Sequence, residues 1–84
     1  MLTKNMQLMM IRIFANHKAT AKELSDIYSS HNSLYRASKY LIESGFMIKT
    51  KSTSNLNTYS LSNIGVMLVK NYLLRLPEVR NHGY

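Results

Sequence analysis

The stretch SHNSLYRASKYLIESGFMIKTKSTSNLNTYSLSNIG, residues 30–65, decides how this chain is read. Its first part is a helix over about 31–44. Leu34, Ala37, Ser38, Leu41 and Ile42 recur along one face of a 3.6-residue period. Ser30 stands where a side-chain oxygen can cap the first free amides. Gly45 fits the left-handed residue that closes such a helix and lets the chain reverse. Phe46-Met47-Ile48-Lys49-Thr50-Lys51 then reads as a strand. Alternation of side chains puts Phe46 and Ile48 on one face and Lys49 and Lys51 on the other. Residues 52–58 are small and polar apart from Leu56, so they form a loop with Asn55 at its tip. The strand Tyr59-Ser60-Leu61 returns, and Ser62 caps a further helix. The expected unit is helix, two-stranded hairpin, helix.

The outer face of the 31–44 helix carries Asn32, Ser33, Tyr35, Arg36, Lys39 and Tyr40, with Glu43 its only acid. Amide and guanidinium groups can make paired hydrogen bonds to adenine and guanine edges, while ammonium and hydroxyl groups suit phosphate oxygens. Lys49, Lys51 and the polar loop with Asn55 can lie along a phosphate backbone or enter a minor groove.

Upstream, Thr3 can cap a first helix whose Met6, Met9, Met10, Ile13 and Phe14 form one stripe. Leu2, Leu8 and Ile11 lie off that stripe, and Asn16 is the expected left-handed cap. Thr20-Ala21-Lys22-Glu23 has the form of a capping box, opening a short helix with Leu24, Ile27 and Tyr28 inward. Downstream of Ser62, the pattern allows Ile64, Met67, Leu68, Tyr72 and Leu74 to face the domain, leaving Val66, Val69, Leu73 and Leu76 on other sides. Pro77 ends that helix, and 77–84 form a short frayed tail. A small domain cannot cover a helix that is apolar nearly all round. Leu2, Leu8, Ile11, Val66, Val69, Leu73 and Leu76 are therefore expected to meet a second copy of the chain.

The whole sequence of 84 residues reads as one domain, α+β but mainly α: a winged helix-turn-helix with a three-helix core, a two-stranded wing and a C-terminal dimerisation helix. Eleven Lys and Arg against four Asp and Glu give a net charge of +7, which favours a polyanionic partner. Cysteine is absent, which excludes disulfides and thiolate metal sites. His17, His31 and His82 have no metal-ligand spacing, the acids suggest no acid–base pair, and the three glycines form no phosphate loop. No catalytic residue, metal or cofactor is expected. No apolar run approaches the ~20 residues of a membrane span, and no signal peptide is read at the N-terminus.

The run LYRASKYLIESGFMIKT followed by YSLSNIG resembles winged-helix transcriptional regulators of the MarR and PadR kind, over roughly residues 20–76. The shared positions are Leu41, Gly45, Phe46 and Met47 at the end of the recognition helix and start of the wing, and Tyr59, Leu61, Ser62 and Gly65 where the wing returns. Where Ser38 stands, the family often has a larger apolar residue. The resemblance implies that Asn32, Ser33, Tyr35, Arg36 and Lys39 read or position double-stranded DNA, with Lys49 and Lys51 in the wing. It implies a homodimeric, cytoplasmic, nucleoid-associated regulator on a near-palindromic site. The chain is much shorter than most MarR proteins, whose extra helices often build a ligand pocket, so no small-molecule ligand is expected. In length it is closer to the minimal regulators of archaea and their viruses and plasmids. The competing expectation is a winged-helix module that docks protein in a larger assembly.

Overall fold

The computed structural model describes residues 2–51 and 57–75. In chain order these form α1 (Lys4–Asn16), β1 (Ala19–Thr20), a 3-10 turn (Lys22–Leu24), α2 (His31–Glu43), β2 (Met47–Lys51), β3 (Asn57–Leu61), α3 (Asn63–Asn71) and a second 3-10 turn (Leu73–Arg75). Each α-helix begins at the expected cap. Thr3 Oγ1 accepts the Met6 amide at 3.1 Å, Ser30 Oγ the Ser33 amide at 3.5 Å, and Ser62 Oγ the Gly65 amide at 3.1 Å. At the other end of α1 the left-handed residue is His17, with φ 69°, one position beyond Asn16.

The strands form one antiparallel sheet in the order β1-β3-β2. The wing therefore has a third strand, because Ala19 pairs with Tyr59 and Thr20 with Thr58. Two residues are too few to show a period of two, and the second of them, Thr20, also belongs to the capping box. That box forms as expected. The Thr20 amide donates to Glu23 Oε1 at 2.9 Å, and the Glu23 amide donates to Thr20 Oγ1 at 3.3 Å. It opens only a single 3-10 turn rather than a helix, with Leu24 buried and Ile27 and Tyr28 half-buried.

Arg12 of α1 reaches across this turn, donating to the Glu23 carbonyl at 3.2 Å and pairing with the Asp26 carboxylate. The hydrogen bond from Arg12 holds the Asp26 carboxyl below its usual range, and the Thr20 amide and hydroxyl do the same for Glu23. A carboxylate with a lowered folded pKa contributes stability above its unfolded pKa and loses it as pH falls through the folded value. Asp26→Asn should therefore flatten the fall in melting temperature below about pH 4, the ordinary carboxylate range. Thermal melts of both proteins across the acid limb check this.

The end of α2 fixes the phase of the hairpin. The Gly45 amide bonds the Ile42 carbonyl at 3.0 Å and the Phe46 amide bonds the Leu41 carbonyl at 3.0 Å, with Gly45 at φ 85°. This is the Schellman arrangement. It assigns Phe46 to the helix cap, so the strand starts at Met47. Met47 is buried and Ile48 is 47% exposed, and Lys49 and Lys51 lie on the face opposite Ile48, as the alternation expects. Cross-strand partners share a face, so Met47 and Lys49 point to the same side as Leu61 and Tyr59.

The core consists of Met9, Met10, Ile11, Ile13, Leu24, Leu34, Leu41, Met47, Tyr59, Val69 and Leu73, with Ala19 and Ala37. α1 packs on β1 and β3 and also on α3 and the Leu73–Arg75 turn, which explains why Ile11 is buried off the expected stripe. The inward stripe of α3 is Gly65, Val69 and Leu73 at i, i+4 and i+8. The Ser62 amide bonds the Phe46 carbonyl at 3.0 Å, and the Ser62 hydroxyl donates to the Gly45 carbonyl. These bonds bring the first turn of α3 against the cap of α2 so closely that a Cβ on Gly65 would overlap the Phe46 carbonyl oxygen.

Candidate nucleic-acid interface

α2 presents two unlike faces. Leu34, Ala37, Ser38 and Leu41 are buried; Asn32, Ser33, Tyr35, Arg36 and Lys39 are all exposed on the opposite side, together with Tyr40. Ser38, polar inside the stripe, satisfies its hydroxyl within the helix by donating to the carbonyls of Leu34 at 2.7 Å and Tyr35 at 3.1 Å. A larger apolar residue is therefore not needed for the turn to pack.

The alternation along β2 turns Lys49 toward this helix. Lys49 lines a cleft of about 210 Å³ with Tyr35, Ser38, Lys39, Ile42 and Glu43. Three of the expected site residues, Tyr35 and Lys39 of α2 and Lys49 of the wing, thus line one cleft. Two ammonium groups and a phenol share the cleft with one carboxylate, a net positive groove open to solvent. Lys51 is exposed one pleat further along the same strand face. Asn55 lies outside the described residues. Among the described residues, no group of three or more His, Asp or Glu could hold a metal ion, and no helix is long and apolar enough to cross a membrane.

The seven residues expected to meet a second copy separate into distinct environments. Ile11, Val69 and Leu73 are at most 1% exposed, buried in the chain's own core, and so cannot form an outer face. Leu2, Leu8 and Val66 are half-buried, and Leu76 lies outside the described residues. The outward apolar face of α3 is instead Ile64, Met67 and Tyr72, exposed at 61%, 60% and 55%. Beside it is a shallow groove of about 240 Å³ between Leu2, Gln7, Leu68, Tyr72 and Leu73. Periodicity places Leu68 and Leu74 against the core but wrongly turns Ile64, Met67 and Tyr72 inward, because buried Gly65 has no side chain to count as apolar.

A helix with an exposed cationic face, preceded by a capped turn and followed by an antiparallel wing, defines a winged helix-turn-helix. No family model and no curated protein matches this sequence. Solved structures do. A SlyA-like transcription regulator from Listeria monocytogenes, itself uncharacterized, is 25% identical with a TM-score of 0.79, over 95% of this chain and 55% of its own. MarR is 19% identical with a TM-score of 0.76, over 96% and 58%. Overoxidized AbfR bound to DNA is 17% identical with a TM-score of 0.76, over 96% and 65%. The chain has the fold of these MarR- and SlyA-type regulators and spans between 55% and 65% of the length of those three chains.

Proposed function

We propose that this chain is a homodimeric, sequence-specific regulator of transcription that binds double-stranded DNA. α2 enters the major groove, and the wing of β2 and β3 follows the backbone or the adjacent minor groove. The observation that carries the reading is the convergence of Tyr35, Lys39 and Lys49 on one open cleft beside exposed Asn32 and Arg36. Basic and amide groups on an exposed recognition helix are what base edges and phosphates require. AbfR, which shares the fold, has been solved bound to DNA.

The dimer contact in this proposal runs along Ile64 and Met67 of α3 and on to Tyr72, Leu2 and Leu8, a surface that would become self-complementary about a two-fold axis. The same axis would set two recognition helices about 34 Å apart, one turn of duplex, on a near-palindromic site. No enzymatic step, cofactor or small-molecule ligand enters this reading.

The test is selection from random duplexes followed by binding titrations at several salt concentrations. With ~4 to 6 phosphates contacted per dimer, the log–log salt slope should be near −0.9 per phosphate. Arg36→Ala should relax the base preference at a cost of ~1–3 kcal/mol, whereas Lys49→Ala should weaken all duplexes about equally. Binding that ignores salt, or a selection that enriches no sequence, would remove the DNA reading.

A further inference from the structure

We infer that Lys22, at the head of the turn before the recognition helix, is a further cationic contact to the DNA backbone; the inference rests on the duplex-binding reading. Three observations carry it. The first is position. Thr20, Thr58 and Thr50 form one row across β1, β3 and β2. β1 and β2 run parallel, since each is antiparallel to β3, so moving forward from Thr20 and from Thr50 leads to the same end of the sheet. Lys22 lies two residues beyond Thr20 and Lys51 one beyond Thr50. Thr20 and Thr50, from which these two lysines follow, are two strand spacings apart, ~10 Å. That separation is within the ~6–12 Å widths of duplex grooves.

The second observation is charge. The acids nearest Lys22 are already engaged: Glu23 accepts from the Thr20 amide and hydroxyl, and Asp26 pairs with Arg12. Neither is drawn onto Lys22, whose side chain is exposed and makes no hydrogen bond or ion pair among the described residues. The third is rigidity. The backbone of Lys22 is fixed because its carbonyl accepts both the Ser25 amide at 3.2 Å and the Ser25 hydroxyl at 2.7 Å. The ammonium is thus free while its base is held. In helix-turn-helix docking, the element before the recognition helix crosses the phosphate backbone. A lysine there adds affinity without reading bases.

Lys22→Gln, Lys22→Arg and, as a control for the loss of one positive charge outside this turn, Lys4→Gln separate the outcomes on duplexes selected with the wild type. The inference expects Lys22→Gln to make the salt slope shallower by ~0.9 for each phosphate no longer neutralised, ~1.8 for a dimer, with the ranking of duplexes unchanged. Lys22→Arg should restore the slope, and Lys4→Gln should leave it alone. A Lys22→Gln slope equal to that of wild type, or an equal change in Lys4→Gln, overturns the inference. So does a changed ranking of duplexes, which would make Lys22 a base reader. A wild type that selects no duplex overturns the DNA reading itself, and the role of Lys22 falls with it.

Discussion

Replacing Gly65 by alanine should lower the melting temperature by roughly 10–25 °C, corresponding to about 3 kcal/mol in a domain of this size. The cause is local and specific. The added methyl would overlap the Phe46 carbonyl oxygen and sit 3.1 Å from its carbon, and these are backbone atoms that cannot rotate away. To make room, either the Ser62–Phe46 hydrogen bond must break or α3 must lift from the cap of α2, uncovering Val69. Gly45→Ala offers a calibrating comparison. No atom lies within 4 Å of its built Cβ, so only the left-handed backbone at φ 85° opposes the change. That cost is about 1 kcal/mol. Thermal melts in which Gly65→Ala is no worse than Gly45→Ala would mean that α2 and α3 are not joined this tightly.

The second large effect separates folding from pairing. Leu73→Ala should destabilise the chain by about 2–5 kcal/mol, because a side chain 1% exposed leaves a cavity between α1 and α3 when truncated. Met67→Lys should leave the fold intact, since that side chain is 60% exposed, and should abolish the proposed dimer by placing a charge in each copy's apolar patch. Circular dichroism reads the first result and sedimentation the second. A Met67→Lys protein that still sediments as a dimer would move the pairing surface off α3. A wild type that sediments as a folded monomer at micromolar concentration would remove the dimer, and with it the near-palindromic site.

These two tests also mark where the sequence is legible. Wherever a side chain makes a local hydrogen bond to the backbone, the residue type announces it. Thr3, Ser30, Ser62 and the Thr20–Glu23 pair each do what their positions imply. α2 and both strands of the hairpin follow from the same signals, as does the exposure of Asn32, Ser33, Tyr35, Arg36 and Lys39. What is not legible depends on non-local partners. β1 exists only because β3 passes beside it. Where β2 starts turns on whether Phe46 belongs to helix or strand, and its amide, reaching Leu41, decides for the helix. The inward face of α3 is chosen by a glycine, whose contribution is the absence of bulk. Lys22 is hidden by its neighbours: inside a capping box it reads as filler between Thr20 and Glu23, and only the sheet shows that its turn and the end of β2 lie at the same edge.

The joint between α2 and α3 has a consequence for how such a protein measures DNA. If two copies pair through α3, the angle from the pairing surface to the reading surface is set where Ser62 and Gly65 rest on Gly45 and Phe46. A duplex advances about 3.4 Å and turns about 34° per base pair. A small rotation at this joint, doubled by the two-fold axis, would therefore re-gauge the spacing between half-sites while leaving the bases read within each one unchanged. Half-site spacing and base preference would then be inherited through separate residues, the former through positions 45, 46, 62 and 65 and the latter through the outer face of α2.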